Sequence, residues 1–406
     1  MKAPLNVFVD HGIVGRLHRS DSDADTTLFG YRDGVSAPAA VSLTMPVRVD
    51  QYDAMGGLLP IFDMNLPEGM LKERLRLQFA KAIPEFDDLD LLRIVGSSQI
   101  GRIRYSEQQQ IDPAVPKQDI QEILTYDGAS DLFAHLLERF ATYSGVSGVQ
   151  PKVLVRDDVH ERKAPDKVTH RGATHIVKTF DPAEYAELAA NEFICTAGAV
   201  AAGIRTARVQ LSDNRRFLIV DRFDLTSDGT YLGIEDFCVL NARRAHGRYD
   251  GSYEHIAKRI NDYVSKGSLT DALEQYALAV AYACTVGNGD AHLKNFSVLY
   301  RHPEDTIELA PAYDLVSTQL YMPRDSLALT MRNSKAFPGR DDLLRFVRQV
   351  TGKTQPAATA LLEQVRRGVQ VGIKEAEAYS KRHKDADAFK DKLVAVMRAG
   401  LERLES

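Results

Sequence analysis

Apolar positions recur with a helical period from Thr270 to Val286, at Leu273, Tyr276, Ala277, Val280, Ala281 and Cys284, and Gly287 stands where such a helix stops. The pattern then changes. Phe296 to Tyr300 reads as a strand, His302-Pro303-Glu304-Asp305 as a turn, and Ile307 to Ala312 as the returning strand. Nearer the start, Leu5 to Leu17 and Asp25 to Arg32 predict short strands with turns. Pro67 to Ala82 and Leu89 to Ile94 predict helices, the first with its proline where a helix can begin. Arg102 to Tyr105 predicts a further strand, and the polar, Gln-rich segment Glu107 to Lys117, with two prolines, reads as a linker. Beyond it, Leu132, Phe133, Leu136 and Leu137 share one face of a helix over Asp131 to Phe140. Strands at Lys152 to Arg156 and His175 to Phe180 flank the charged stretch Asp157 to Gly172, which predicts a solvated loop. Phe217 to Val220 is a strand running into the polar turn Asp221-Arg222-Phe223-Asp224. From Arg340 to Ser406 the chain is helical by periodicity. Leu361, Leu362, Val365, Val369 and Val371 lie in one helix, and Leu393, Val396, Met397, Leu401 and Leu404 form another apolar face.

A chain of 406 residues exceeds one typical domain. The linker at 107–117 closes a first domain at 1–106, and the polar turn that ends at Asp224 divides the rest into a small lobe at 118–224 and a helical large lobe at 225–406. With 44% hydrophobic and 26% charged residues, the composition is that of an ordinary soluble globular protein. The net charge of -5 argues against a broad nucleic-acid-binding surface. Cys195, Cys238 and Cys284 lie in apolar or helical contexts without metal-ligand spacing, which predicts reduced core thiols. The apolar run Leu5 to Val9 ends at Asp10 and His11, too soon for a signal peptide, and no apolar stretch approaches membrane-spanning length. The expected compartment is the cytosol.

Candidate chemistry concentrates in Gly287-Asn288-Gly289-Asp290-Ala291-His292-Leu293-Lys294-Asn295 and in Tyr313-Asp314. An Asp, an Asn five positions on and a later Asp occur in this order in protein kinases, as the base that accepts the substrate hydroxyl proton and as two Mg²⁺ ligands. Asn295 opens the predicted hairpin and Asp314 follows its far end, so the two come side by side. The plain alternative makes all three turn formers. Ser144-Gly145-Val146-Ser147-Gly148-Val149-Gln150-Pro151-Lys152 lies between a helix and a strand, and its glycines let backbone N–H groups approach phosphate oxygens. It matches neither G-x-G-x-x-G nor a Walker loop, and a simple turn is its other reading. Lys178 sits in an apolar strand, where a kinase lysine meets nucleotide phosphates and pairs with a helix glutamate, here Glu192. An exposed edge-strand lysine is the alternative. Val220 to Phe223 offers an apolar ring face and backbone groups for adenine, and a plain surface strand fits the pattern equally well.

Ser147-Gly148-Val149-Gln150-Pro151-Lys152, His175-Ile176-Val177-Lys178, Asn191-Glu192, Val220-Asp221-Arg222-Phe223-Asp224, Ile234-Glu235-Asp236-Phe237, the Gly287 to Asn295 loop and Tyr313-Asp314-Leu315 occur in that order. Together they resemble the HipA family, the serine/threonine kinase toxins of bacterial toxin–antitoxin pairs. Val41 to Pro46, Leu58-Leu59-Pro60 and Asn65 to Gly69 resemble that family's N-terminal subdomain. The resemblance implies an α+β, two-lobed protein-kinase-like fold with a small mixed-β N-terminal part and an all-helical C-terminal lobe. It also implies transfer of the ATP γ-phosphate to a serine of a cytosolic target, typically an aminoacyl-tRNA synthetase. A small helix-turn-helix antitoxin (HipB-like) would be the partner, with DNA engaged only through it.

By position, Asp290 would be the base, Asn295 and Asp314 the Mg²⁺ ligands, and Lys178 the phosphate-binding lysine. Ser147, Gly148, Val149, Gln150, Pro151 and Lys152 would form the phosphate loop, and Asp221, Arg222 and Phe223 the adenine hinge. His292, Leu293, Lys294 and Tyr313 would complete the ATP site. Members often carry an autophosphorylated serine three residues before the loop glycine. That position is Gly145 here, with Ser144 and Ser147 beside it, and Ser147 is the better candidate. A small-molecule kinase is the alternative enzyme, since sugar and aminoglycoside kinases reuse the same acidic arrangement. A nucleotide-binding pseudokinase is the non-enzymatic one.

Overall fold

The first predicted strand turns out to be an interior strand of its sheet. In the computed structural model, which describes residues 2–10, 12–23, 25–79, 81–83, 85–111, 114–128, 131–157 and 172–406, Leu5–Val9 pairs antiparallel with Gly12–Arg19 on one side and with Ile103–Ser106 on the other. The sheet continues through Thr26–Tyr31 to Tyr52–Met55. All five residues of Leu5–Val9 are buried, as a strand packed on both faces requires. The return of Ile103–Ser106 to the first strand completes this sheet. The helix expected from Pro67 starts later, at Gly69, and runs to Phe79.

A second set of strands follows. Lys152–Asp157 pairs antiparallel with His175–Lys178, which pairs antiparallel with Leu218–Asp221. Lys117–Gln118, at the end of the expected linker, pairs parallel with Arg156 and Asp157. The expected loop between Asp157 and Gly172 lies, apart from its two end residues, outside the described residues. Apolar side chains from both sets share one core, in which Leu5, Phe29 and Leu92 are continuous with Phe140, Val153, Val177 and Ile219. This continuity makes one compact unit of Met1–Thr179, Ser212–His246 and Leu299–Ile307.

The other compact unit comprises Phe180–Leu211, Gly247–Val298 and Glu308–Ser406. Its central helix, Leu269–Thr285, is buried on every face from Tyr276 to Thr285, which explains a composition too apolar for an amphipathic surface helix. Around it pack Arg340–Thr351, Gln355–Arg382 and Asp387–Glu405, so the C-terminal stretch read as helical forms three helices. Leu188–Ala201 packs along Gln355–Arg382. The helical part also carries short strands, and the return strand expected over Ile307 to Ala312 is only Glu308–Leu309. Pro311 and the left-handed Asp314 (φ 55°) keep the rest out of ladder geometry. Among the described residues no helix is long and apolar enough to cross a membrane.

Candidate active site

In the helical unit the site begins where Leu269–Thr285 ends. Gly287 is left-handed (φ 71°), and the Asn288 N–H bonds back to the Ala283 carbonyl at 2.9 Å, a glycine-terminated helix end that reverses the chain. Asn288, almost fully buried, accepts the Asp290 N–H on its Oδ1 at 2.9 Å. The Gly287 carbonyl takes the N–H groups of Thr318 and Gln319, each at 3.0 Å, and Thr318 Oγ1 accepts the Gly289 N–H at 2.7 Å. The loop is therefore held on both sides before Asp290 is reached.

Asp290 itself reaches solvent. Its carboxyl is raised above the ordinary carboxylate range, chiefly because surrounding protein displaces water and further because Asp314 and Asp325 add negative charge; Tyr249 Oη, which donates to Asp290 Oδ1 at 2.8 Å, and the Arg248 charge pull the other way. His292 is buried, and desolvation first and the Arg248 charge second push its pKa down to about 4. The imidazole is therefore neutral at physiological pH, with its ring edge-on to Tyr249 at 5.1 Å.

Asn295 and Asp314 do come together. Asn295 Oδ1 accepts the His292 N–H at 3.0 Å, and its Nδ2 faces Asp314 Oδ2 at 3.4 Å. Asp314 holds a left-handed backbone, which costs a non-glycine residue roughly 1–3 kcal/mol and survives only where neighbours fix it. Two neighbours do so. Tyr313 Oη donates to the Lys294 carbonyl at 2.7 Å, tying the strand end to the loop. Asn191, fully buried on Leu188–Ala201, grips the Ser317 backbone at both ends, its Nδ2 donating to the carbonyl and its Oδ1 accepting the N–H, each at 3.0 Å. A side-chain oxygen of Asn295 with a spare lone pair beside a carboxylate suits a hard cation that brings further oxygens of its own, as magnesium does with a nucleotide. Leu293 and Lys294 are buried in the loop.

In the other unit, Lys152 and Lys178 are direct partners across adjacent antiparallel strands, only 6% and 3% exposed. His175–Lys178 is paired on both edges, so the edge-strand reading of Lys178 is excluded. Gly148 adopts φ 115°, and a Cβ there would run into Lys152 Nζ, so the ammonium lies directly under the loop glycine. Ser147 and Gly148 are half-buried, Val149 is exposed, and the buried Gln150 Nε2 has no hydrogen-bond acceptor among the described residues. Ser144 is fully buried, donating to the Phe140 carbonyl at 2.7 Å and accepting the Leu154 N–H at 2.9 Å.

Of the expected hinge, Asp221 ends its strand with Oδ1 3.4 Å from His175 Nε2. The Arg222 side chain turns into the interior, where Asp224 and the Gln99 carbonyl accept from it. Sequence reasoning gave no role to Tyr249, Thr318 or, within the loop, Asn288. Each lies in a stretch without periodicity and acts through hydrogen bonds to loop residues.

These features define a two-lobed, kinase-like α+β fold with an acidic loop on one unit and a lysine pair on the other. The chain belongs to the HipA family: residues 5–106 match the HipA N-terminal domain and residues 144–373 the HipA-like C-terminal domain. It is 30% identical over 356 residues to "Putative kinase Y4mE" of Sinorhizobium fredii, covering 82% of this chain and 81% of that one. A Haemophilus influenzae protein named "Putative kinase" is 31% identical over 194 residues, 43% of this chain and 53% of its own. A chain from the solved complex of the Shewanella oneidensis toxin–antitoxin system HipA, HipB and operator DNA has the same fold, with TM-score 0.67 and 19% identity over 99% of both chains.

Proposed function

We propose that this protein is an ATP-dependent serine/threonine protein kinase acting as a toxin on a cytosolic translation component such as an aminoacyl-tRNA synthetase. The observation that carries the reading is the loop of the helical unit, where a solvent-reaching Asp290 stands near an Asn295–Asp314 pair whose strained backbone two neighbours hold in place. In this reading Asp290 accepts the proton of a serine or threonine hydroxyl as its oxygen attacks the γ-phosphorus and ADP leaves. Asn295 and Asp314 present oxygens to Mg²⁺, which when bound neutralises phosphate charge. Lys178 and Lys152 meet the nucleotide phosphates under the Ser147-to-Pro151 loop, and Gln150 Nε2 gains an acceptor there. Asp221 to Phe223 serve adenine through their backbone, since the Arg222 side chain is committed to Asp224. His292, Leu293, Lys294 and Tyr313 shape the nucleotide side of the loop.

A HipB-like helix-turn-helix antitoxin is the proposed partner, in line with the assembly named for the Shewanella structure, and DNA is engaged only through it. Ser147 is the proposed self-phosphorylation site: Ser144 is the other serine of the loop's start, and its hydroxyl is buried and bonded twice. A phosphate on Ser147 adds about -1.5 to -2 charges where ATP must bring its own, and so lowers activity.

Incubation with labelled ATP and cell lysate tests the reading, with Asp290→Asn as control. Label in a discrete protein band, and in a peptide containing Ser147, is expected from the wild type, with transfer lowered by about three orders of magnitude or more in the variant. Label passing only to small metabolites supports a small-molecule kinase, and transfer that survives Asp290→Asn removes the base assignment.

A further inference from the structure

A general base works on whatever hydroxyl lies within hydrogen-bond reach, and in this structure that hydroxyl belongs to the protein itself. Tyr249 Oη donates to Asp290 Oδ1 at 2.8 Å, the relation a substrate serine must adopt before transfer. Both side chains reach solvent, Tyr249 being 46% exposed, so the contact lies at the mouth of the loop and not in its interior. It is also not needed to orient the loop, since the Asp290 backbone is already fixed through Asn288 Oδ1.

The Tyr249 backbone is fixed as well. The Arg248 carbonyl accepts the Leu293 N–H at 3.1 Å, and the Gly251 carbonyl accepts the Thr330 N–H at 3.1 Å, so the segment is stitched to the catalytic loop before it and to residue 330 after it. The Tyr249 side chain lies edge-on to the His292 ring at 5.1 Å and is nearly half exposed. Rotation about Tyr249 χ1, a change that exposed side chains make in picoseconds to nanoseconds, uncovers the base with no loop movement.

We propose that Tyr249 is a substrate-hydroxyl surrogate: its phenol covers Asp290 in the resting enzyme, denies that oxygen to water, and yields it to the hydroxyl of a docked protein. The inference rests on Asp290 being the base. The reaction it suppresses is ATP hydrolysis, in which a water oxygen bonds to the γ-phosphorus, its proton passes to Asp290, and the bond to the ADP oxygen breaks to release ADP and phosphate. A phenol fixed by its own backbone competes well with a water molecule. It competes poorly with a protein whose remaining contacts hold the acceptor serine in place, because docking has already met the entropy of positioning.

Tyr249→Phe removes the hydroxyl and keeps the ring on His292. ATP hydrolysis without acceptor protein is expected to rise about two- to tenfold, the net difference when water replaces the phenol as donor to the carboxylate. The KM for the protein acceptor is expected to fall or hold while kcat persists. Labelling of Asp290 by a water-soluble carbodiimide, read by peptide mass spectrometry on the nucleotide-free protein, should rise in the same variant. Unchanged or reduced hydrolysis together with unchanged labelling overturns the proposal, and a parallel fall in hydrolysis and transfer overturns it in favour of an orienting role. The double variant Asp290→Asn, Tyr249→Phe separates the two readings. Loss of the extra hydrolysis there supports both, whereas hydrolysis that persists removes Asp290 as the base while the labelling still decides whether Tyr249 covers it.

Discussion

At the residue scale, the proposed base role sets Asp290 two conflicting demands: it must be charged to take a proton, yet the protein around it favours the neutral form. Its pKa is raised by desolvation and by Asp314 and Asp325, so the acid limb of kcat should fall at a pH above that of an ordinary carboxylate. His292, pushed down to about 4, should add no inflection near neutrality. The pH profile therefore shows one acid-side ionisation, above the ordinary carboxylate range, and a second one near the usual histidine value of about 6.5 counts against a neutral His292. The stability linkage of His292 runs in the matching direction: with its folded value depressed, stability present above about 6.5 is lost as pH falls toward 4. Asp314→Asn separates strain from metal binding, because asparagine tolerates the left-handed backbone as aspartate does and only the charge disappears. Unchanged melting with a weakened Mg²⁺ dependence of nucleotide binding is expected in calorimetry. Equal affinity for Mg·ATP before and after the change removes the metal role.

At the scale of elements, Lys152 and Lys178 face each other across neighbouring strands, both buried, and under the proposed function both reach the nucleotide phosphates. Lys178→Met keeps the length and the apolar stem, so the strand should persist while ATP affinity falls about ten- to 150-fold, the loss of one charge-assisted hydrogen bond of roughly 1.5–3 kcal/mol. Titration with a nucleotide analogue measures it, and a change of less than about twofold marks Lys178 as structural. Helix and strand identities here were legible from periodicity. Leu269–Thr285 falls within a residue of its expected span, and the Asn295–Asp314 meeting followed from reading the hairpin. The returning strand was read too long because apolar alternation does not register a proline and a left-handed residue. Asn191 was visible only as part of a motif. Its two-point hold on Ser317 joins residues far apart in sequence, and no local pattern encodes such a contact.

For the molecule as a whole, the decisive feature is a buried carboxylate. Glu235 accepts from Ser42 Oγ and the Leu43 N–H, each at 2.7 Å, and from Tyr300 Oη, so one side chain joins three distant parts of its unit. Burial outweighs those bonds and the nearby Arg102, and lifts its pKa to about 7. A raised folded value means that stability present below the unfolded pKa is lost as pH rises through about 7. Glu235→Gln keeps an oxygen for Leu43 and Tyr300 and offers an amide to Ser42 Oγ, whose hydrogen is free to turn. The variant should match the wild type near pH 5 and exceed it above pH 8 by roughly 2–4 kcal/mol in denaturant titration. Equal stability at both pH values shows that Glu235 does not change charge. A break after residue 106 was the expectation from the linker composition. The common core across it was not readable, because hydrophobic periodicity reveals which face is buried and never against which partner.

That common core also sets a timetable for synthesis. Leu5–Val9 needs Ile103–Ser106 as a neighbour, Ser42 and Leu43 need Glu235, and Glu235 in turn needs Tyr300. At about 5–20 residues per second, translation takes tens of seconds to bring these partners out of the ribosome. Until residue 300 emerges, the unit that carries Lys152 and Lys178 lacks one of its internal partners. A chain built this way cannot complete that unit until late in its own synthesis, however early its first strands emerge.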